Sequence, residues 1–95
     1  MMARYTVRIE LREADTTDYE KLSKKLKLRG FTRHIAAKNG DKHVLPSAEY
    51  SFSSKYKSTR DVRDLAYQIA KTVNPDPAVL ATKTSARAWR GLHKI

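Results

Sequence analysis

Gly30-Phe31-Thr32-Arg33-His34-Ile35-Ala36-Ala37-Lys38-Asn39-Gly40-Asp41-Lys42-His43-Val44-Leu45-Pro46-Ser47-Ala48-Glu49-Tyr50 is the stretch whose reading decides the fold. Asn39-Gly40 lies between two strand-like runs, and both residues tolerate the positive φ of a tight type I′ turn. A two-residue loop there sets Ile35 opposite Val44 and His34 opposite Leu45. Phe31 and Ile35 then share an apolar face with Val44, Ala48, Tyr50 and Phe52. Thr32, His34, His43, Ser47, Glu49 and Ser51 take the other face. Strands are predicted near 31–37 and 42–53. Pro46 lacks an N–H for the ladder, so it belongs at an edge or a bulge.

Upstream, Tyr5, Val7, Ile9 and Leu11 alternate with Arg4, Thr6, Arg8 and Glu10, the pattern of a half-buried first strand. Thr17 and Glu20 have capping-box spacing, with Thr16 as an alternative cap. Tyr19, Leu22 and Leu26 follow at helical spacing, and Gly30 stops the helix. Downstream, Ser58 or Thr59 caps a second helix whose stripe is Val62, Leu65, Ala66, Ile69, Ala70 and Val73. Asn74-Pro75-Asp76-Pro77 ends it. Residues 78–84 form a weaker strand, and 85–95 an amphiphilic segment with the single tryptophan, Trp89.

The order strand, helix, strand, strand, helix, strand predicts an α+β fold of the ferredoxin-like βαββαβ type. Its sheet is four-stranded and antiparallel, with both helices on one face. The whole chain, 1–95, reads as one domain. The uncovered sheet face would display Arg4, Thr6, Arg8, Glu10, His34, His43, Leu45 and Glu49. A small core and an uncovered face both favour a homodimer.

Cysteine is absent, which excludes disulfide and thiolate chemistry. No apolar run reaches membrane-spanning length, and the N-terminal residues run into a strand pattern rather than a signal peptide, so a cytoplasmic protein is expected. The charge is uneven. Residues 1–20 carry three basic and five acidic residues, a net of −2, while the rest carries 17 and five, a net of +12. Such a domain attracts polyanions. Arg8, Arg33, Lys38, Lys42, Lys55 and Lys57 are the candidate phosphate contacts, because the hairpin and the turn after it present them together. The alternative partner is an acidic protein surface. Base stacking on the sheet is not expected, since Tyr5, Tyr50 and Phe52 turn towards the helices and no RNP-type run is present.

Catalytic signals are sparse. His34 and His43, placed on one face by the hairpin register, are the candidates for an acid–base pair. Glu10 and Glu49 would lie near them. No HxxxH or CxxC spacing points to a metal, no cofactor motif occurs, and neither a G-x-S-x-G elbow nor a glycine-rich phosphate loop is present.

Ala3-Arg4-Tyr5-Thr6-Val7-Arg8-Ile9-Glu10-Leu11, Asp18-Tyr19-Glu20, Gly30-Phe31-Thr32-Arg33, Leu45-Pro46-Ser47-Ala48-Glu49-Tyr50 and Trp89 together resemble the small bacterial and phage proteins grouped with the GhoS antitoxin. The resemblance spans nearly the whole chain and rests mostly on strand and turn positions. It implies a ferredoxin-like fold related to the small CRISPR-associated nuclease subunits. It also implies RNA as the partner, since the named member is an endoribonuclease that cleaves the messenger of a membrane toxin. In the related nuclease subunits an aspartate ending the first strand is associated with a metal. Glu10, Glu13 and Asp15 follow that position only loosely, and Asp15 reads equally well as part of a helix cap.

Overall fold

The central strand β1 (Ala3–Leu11) organises the computed structural model, which describes residues 2–95. Tyr5, Val7, Ile9 and Leu11 are buried, whereas Arg4, Arg8 and Glu10 are exposed and Thr6 is half-buried. After β1 come α1 (Thr16–Leu28), β2 (His34–Ala36), β3 (Lys42–Val44), β4 (Glu49–Ser54), α2 (Thr59–Lys71) and β5 (Pro77–Lys83). Both β4 and β5 pair antiparallel with β1, giving the order β4-β1-β5. A second sheet consists of β2 and β3 alone. The architecture is therefore α+β with two helices and two antiparallel sheets.

The single four-stranded sheet expected from the sequence does not form. Thr32 and Ser51 exchange both backbone hydrogen bonds at 2.8 Å, so the chain entering β2 pairs with β4 through one backbone bridge. Backbone pairing stops there because the 42–53 run is not one strand. Pro46 contributes no N–H, and Ala48 adopts a left-handed φ of +66°. The run splits into β3 and β4, and β2 pairs with β3 only.

The hairpin register also differs from expectation by one residue. His34 lies opposite Val44, Ile35 opposite His43, and Ala36 opposite Lys42. The Gly40 N–H donates to the Ala37 carbonyl at 2.9 Å, and the Ala37 N–H donates to the Asp41 carbonyl at 2.8 Å. Gly40 has a φ of +92°, while Asn39 keeps a negative φ and accepts from the Asp41 N–H through Oδ1 at 3.0 Å. This is a three-residue loop, a type I turn closed by a left-handed glycine, rather than a two-residue type I′ turn. A shift of one residue exchanges the faces. His34 and His43 thus lie on opposite faces of the ribbon, and Leu45 is buried rather than displayed.

Both helices have reciprocal caps. The cap of α1 is Asp15, two residues before Thr17 and one before Thr16. Asp15 Oδ1 accepts from the Asp18 N–H at 3.0 Å, and Asp18 Oδ2 accepts from the Asp15 N–H at 3.2 Å. Carboxylates suit the positive end of the helix dipole better than a threonine hydroxyl. α1 ends at Gly30, φ +93°, where the Phe31 N–H reaches the Leu26 carbonyl at 3.0 Å and the Gly30 N–H reaches Lys27 at 3.1 Å. That pair of bonds is a Schellman motif, sealed by the buried Leu26 and Phe31. Ser58, one of the two residues expected to cap α2, does so together with Asp61. Hydrogen bonds from the Ser58 backbone and hydroxyl hold the Asp61 carboxyl below its usual pKa. The cap's contribution is full above the ordinary carboxylate pKa and is lost as pH falls through the lowered one.

Leu22 and Leu26 of α1 and Val62, Ala66, Ile69 and Ala70 of α2 join the buried β1 residues, Phe31, Tyr50 and Phe52 in one core. Phe31 stacks on Phe52 with centroids 4.4 Å apart. The opposite face of β1 is crossed by residues 84–95. Thr84 bonds to Arg4 through its N–H and to Thr6 through its hydroxyl, at 2.8 and 2.9 Å. Arg87 Nη2 donates to the hydroxyls of Thr6 and Ser51, each at 3.1 Å. Farther on, the Val44 N–H donates to the His93 carbonyl, and the Ile95 N–H to that of Lys42, both at 2.9 Å. The sheet face expected to be open is thus partly covered by the chain itself, at Thr6 and Ser51, while Arg8, Glu10 and Leu80 stay exposed.

Gly40→Val should lower stability by about 1–2 kcal/mol through backbone strain alone, because a Cβ there meets nothing within 4 Å. Gly30→Ala should cost about 1 kcal/mol through its left-handed φ alone, since its Cβ would make ordinary van der Waals contact with the Phe52 ring at 3.4 Å. Urea denaturation measures both. Wild-type stability in either variant would contradict the turn assigned to that glycine.

Candidate nucleic-acid interface

Where β1 begins, β4 and β5 both end. Ala3 lies opposite Ser54, and Tyr5 lies opposite Lys83. β4 runs on into the turn 55–58, and β5 into the crossing segment. Together with Ala36–Lys38 of the β2–β3 hairpin they enclose a groove of about 950 Å³. Six cations line it, Arg4, Lys38, Lys55, Lys57, Lys83 and Arg87, and no carboxylate does. The ion pairs among the described residues are Arg8–Glu49, Arg12–Asp76, Arg63–Asp64 and Lys94–Asp41, so none of the six is neutralised by a partner. Arg87 is half-buried. Burial first, and then the charge of Arg4, push its pKa down, with Glu49 opposing. A bound anion would relieve both effects.

Besides the buried Tyr5, two exposed aromatics line the same groove. Tyr56 is 91% exposed and Trp89 is 36% exposed. The turn carrying Tyr56 is held from both sides. Ser54 Oγ accepts from the N–H groups of Tyr56 and Lys57 at 3.2 and 3.1 Å, and the Tyr5 hydroxyl donates to the Lys57 carbonyl. The Trp89 ring rests against His43, with centroids 5.5 Å apart. Tyr5, Tyr50 and Phe52 are buried, as predicted, and Tyr56 and Trp89 project from segments outside the strands.

Three of the six sequence candidates, Lys38, Lys55 and Lys57, come together here. The other three do not join them. Lys42 is exposed on the hairpin, outside the groove lining. Arg8 pairs with Glu49 at 3.2 Å farther along the sheet. Arg33 is a structural clamp. Its Nη1 donates to the carbonyls of Pro46 and Glu49 at 2.6 and 2.7 Å, its Nη2 donates to Leu45 at 3.1 Å, and its guanidinium lies 5.6 Å from the Tyr50 ring centroid. It closes the β3–β4 connection that Pro46 leaves without a ladder. Arg4, Lys83, Arg87, Tyr56 and Trp89 were not among the sequence candidates. The basic–aromatic–basic run Lys55-Tyr56-Lys57 was the one local signal available.

The acid–base pair of His34 and His43 is not assembled, since the register sends them to opposite faces. His43 Nδ1 is buried with no hydrogen-bond partner, and His34 is exposed. Asp15 is engaged in the α1 cap. Among the described residues no three His, Cys, Asp or Glu side chains come together as a metal site. Nor, among the described residues, is any helix long and apolar enough to cross a membrane. Comparisons with protein-family models and with curated proteins found no match.

Arg33→Ala removes a donor from three carbonyls, of which only that of Pro46 keeps a second donor, the Glu49 N–H. It should lower stability by about 1–3 kcal/mol while leaving the salt dependence of any nucleic-acid binding unchanged. Urea denaturation and filter binding measure the two effects. A fully stable variant, or one with a reduced salt slope, would make Arg33 a phosphate ligand rather than a clamp.

Proposed function

We propose that this chain is a small nucleic-acid-binding protein that holds RNA in the groove at the start of β1. One observation carries the reading: six cations from four separate segments converge with no carboxylate among them. Convergence of like charges costs stability unless a polyanion occupies the space. Phosphate contacts of this kind position a nucleic acid without reading its sequence.

The finer fold reading is ferredoxin-like. The order β5-β1-β4 and the Thr32–Ser51 bridge support it, because the bridge stands where a fourth strand would join β4. With that fold the chain would be of the GhoS antitoxin type, and this is what favours RNA over DNA. The groove lining contains neither imidazole nor carboxylate, which favours binding over cleavage.

If all six cations contact phosphates, log affinity should fall with log salt at a slope of about −4 to −5. Replacing Lys38, Lys55 and Lys57 with Gln should weaken binding to unrelated sequences alike and make the slope shallower by about two. Filter binding over a salt series reads both. If the wild-type protein binds neither RNA nor DNA at low salt, the reading fails, and a stoichiometric complex with an acidic protein becomes the better one.

A further inference from the structure

We propose that the groove takes single-stranded nucleic acid, with unpaired bases stacked on Tyr56 and Trp89 while the six cations hold the backbone. This rests on the reading of the groove as a nucleic-acid site and names its substrate class.

A single exposed aromatic needs no explanation on a protein surface. Tyr56 is not in that situation. Its ring projects from a turn pinned by Ser54 Oγ and by the Tyr5 hydroxyl, so the exposed position is built rather than left over. Cations flank it directly in the chain, Lys55 and Lys57, and all three residues line the groove. The chain's one tryptophan reaches the same groove from a segment more than thirty residues away, with His43 packed against its ring. Neither aromatic belongs to the hydrophobic core. Cations that track a backbone, interleaved with aromatic platforms, are the arrangement that binds single strands with little sequence preference, because every base has a stackable face. In a duplex the bases are already stacked on one another and offer no free face to either ring.

The test uses the full chain and two fluorescein-labelled RNAs with equal numbers of phosphates, one unstructured 12-mer and one short duplex. Anisotropy over a salt series gives the affinities, and the emission of Trp89 gives an independent readout. The single strand should bind more tightly and quench Trp89, and the duplex should do neither. Tyr56→Leu should lower single-strand affinity about five- to a hundredfold, leave the salt slope unchanged, and leave duplex binding as it was. Tyr56→Trp should restore the single-strand affinity. Tyr56 is exposed, so circular dichroism should show both variants folded. Equal affinity for the two RNAs, unchanged Trp89 emission, or a neutral Tyr56→Leu would each overturn the stacking proposal. The groove reading would survive any of these if Lys38, Lys55 and Lys57 still set the salt slope. No binding at low salt would overturn both.

Discussion

Everything in this structure depends on β1 being hydrogen-bonded along both edges while its side chains alternate without a break. Tyr5, Val7, Ile9 and Leu11 all point into one core, and each burial stabilises the fold by about 1.5–3 kcal/mol. Against a net stability of roughly 5–15 kcal/mol, a strand slipped by one residue would cost most of the margin. The pairing partners come from residues 49–54 and 77–83, so β1 also decides which distant segments meet. The groove is a consequence. It forms where one strand starts and its two neighbours stop, and the chain there is released into turns that no ladder constrains.

The same strand explains the second face. Thr6 pairs with both Ser51 and Thr82, and its hydroxyl accepts from Arg87. One guanidinium, held by two hydroxyls, fastens the crossing segment over the sheet and carries a charge to the edge of the groove. Its half-burial beside Arg4 is unfavourable in isolation. Salt partly screens exposed charges, which softens the repulsion among the converging lysines without removing it. The half-buried guanidinium of Arg87 benefits less from that screening. It is the position where a bound phosphate has most to offer.

The parts legible in the sequence were those fixed by local chemistry. The alternation of 4–11, the stripes of both helices, the Ser58 cap and the Gly30 stop all appear where the residue pattern placed them. The hairpin register was not legible. Gly40 satisfies a type I′ turn and a three-residue loop equally well, and only the bonds from Ala37 N–H to Asp41 and from Gly40 N–H to Ala37 decide between them. Pro46 and Ala48 break a run that reads as one strand, because the left-handed φ of Ala48 has no signature in composition. The start of α1 went to Asp15 over threonines of similar capping propensity, and a carboxylate at both positions of the box tipped the choice. In the groove, Lys38, Lys55 and Lys57 could be named because they lie close in sequence to the hairpin and the turn. Arg4 and Arg87 could not, since their proximity arises only from pairings across more than seventy residues. Arg33 has the composition of a phosphate ligand, and nothing in the sequence reveals that three carbonyls occupy it.

Lysine-acetylation footprinting of the intact protein, with and without a single-stranded RNA, tests the central claim most directly. The groove and the α1 surface carry separate sets of exposed lysines, and mass spectrometry distinguishes them residue by residue. Binding in the groove protects Lys38, Lys55, Lys57 and Lys83 and leaves Lys21, Lys24, Lys25 and Lys27 as reactive as in the free protein. Protection centred on the α1 lysines, or spread evenly over both sets, would contradict a binding site at the start of β1.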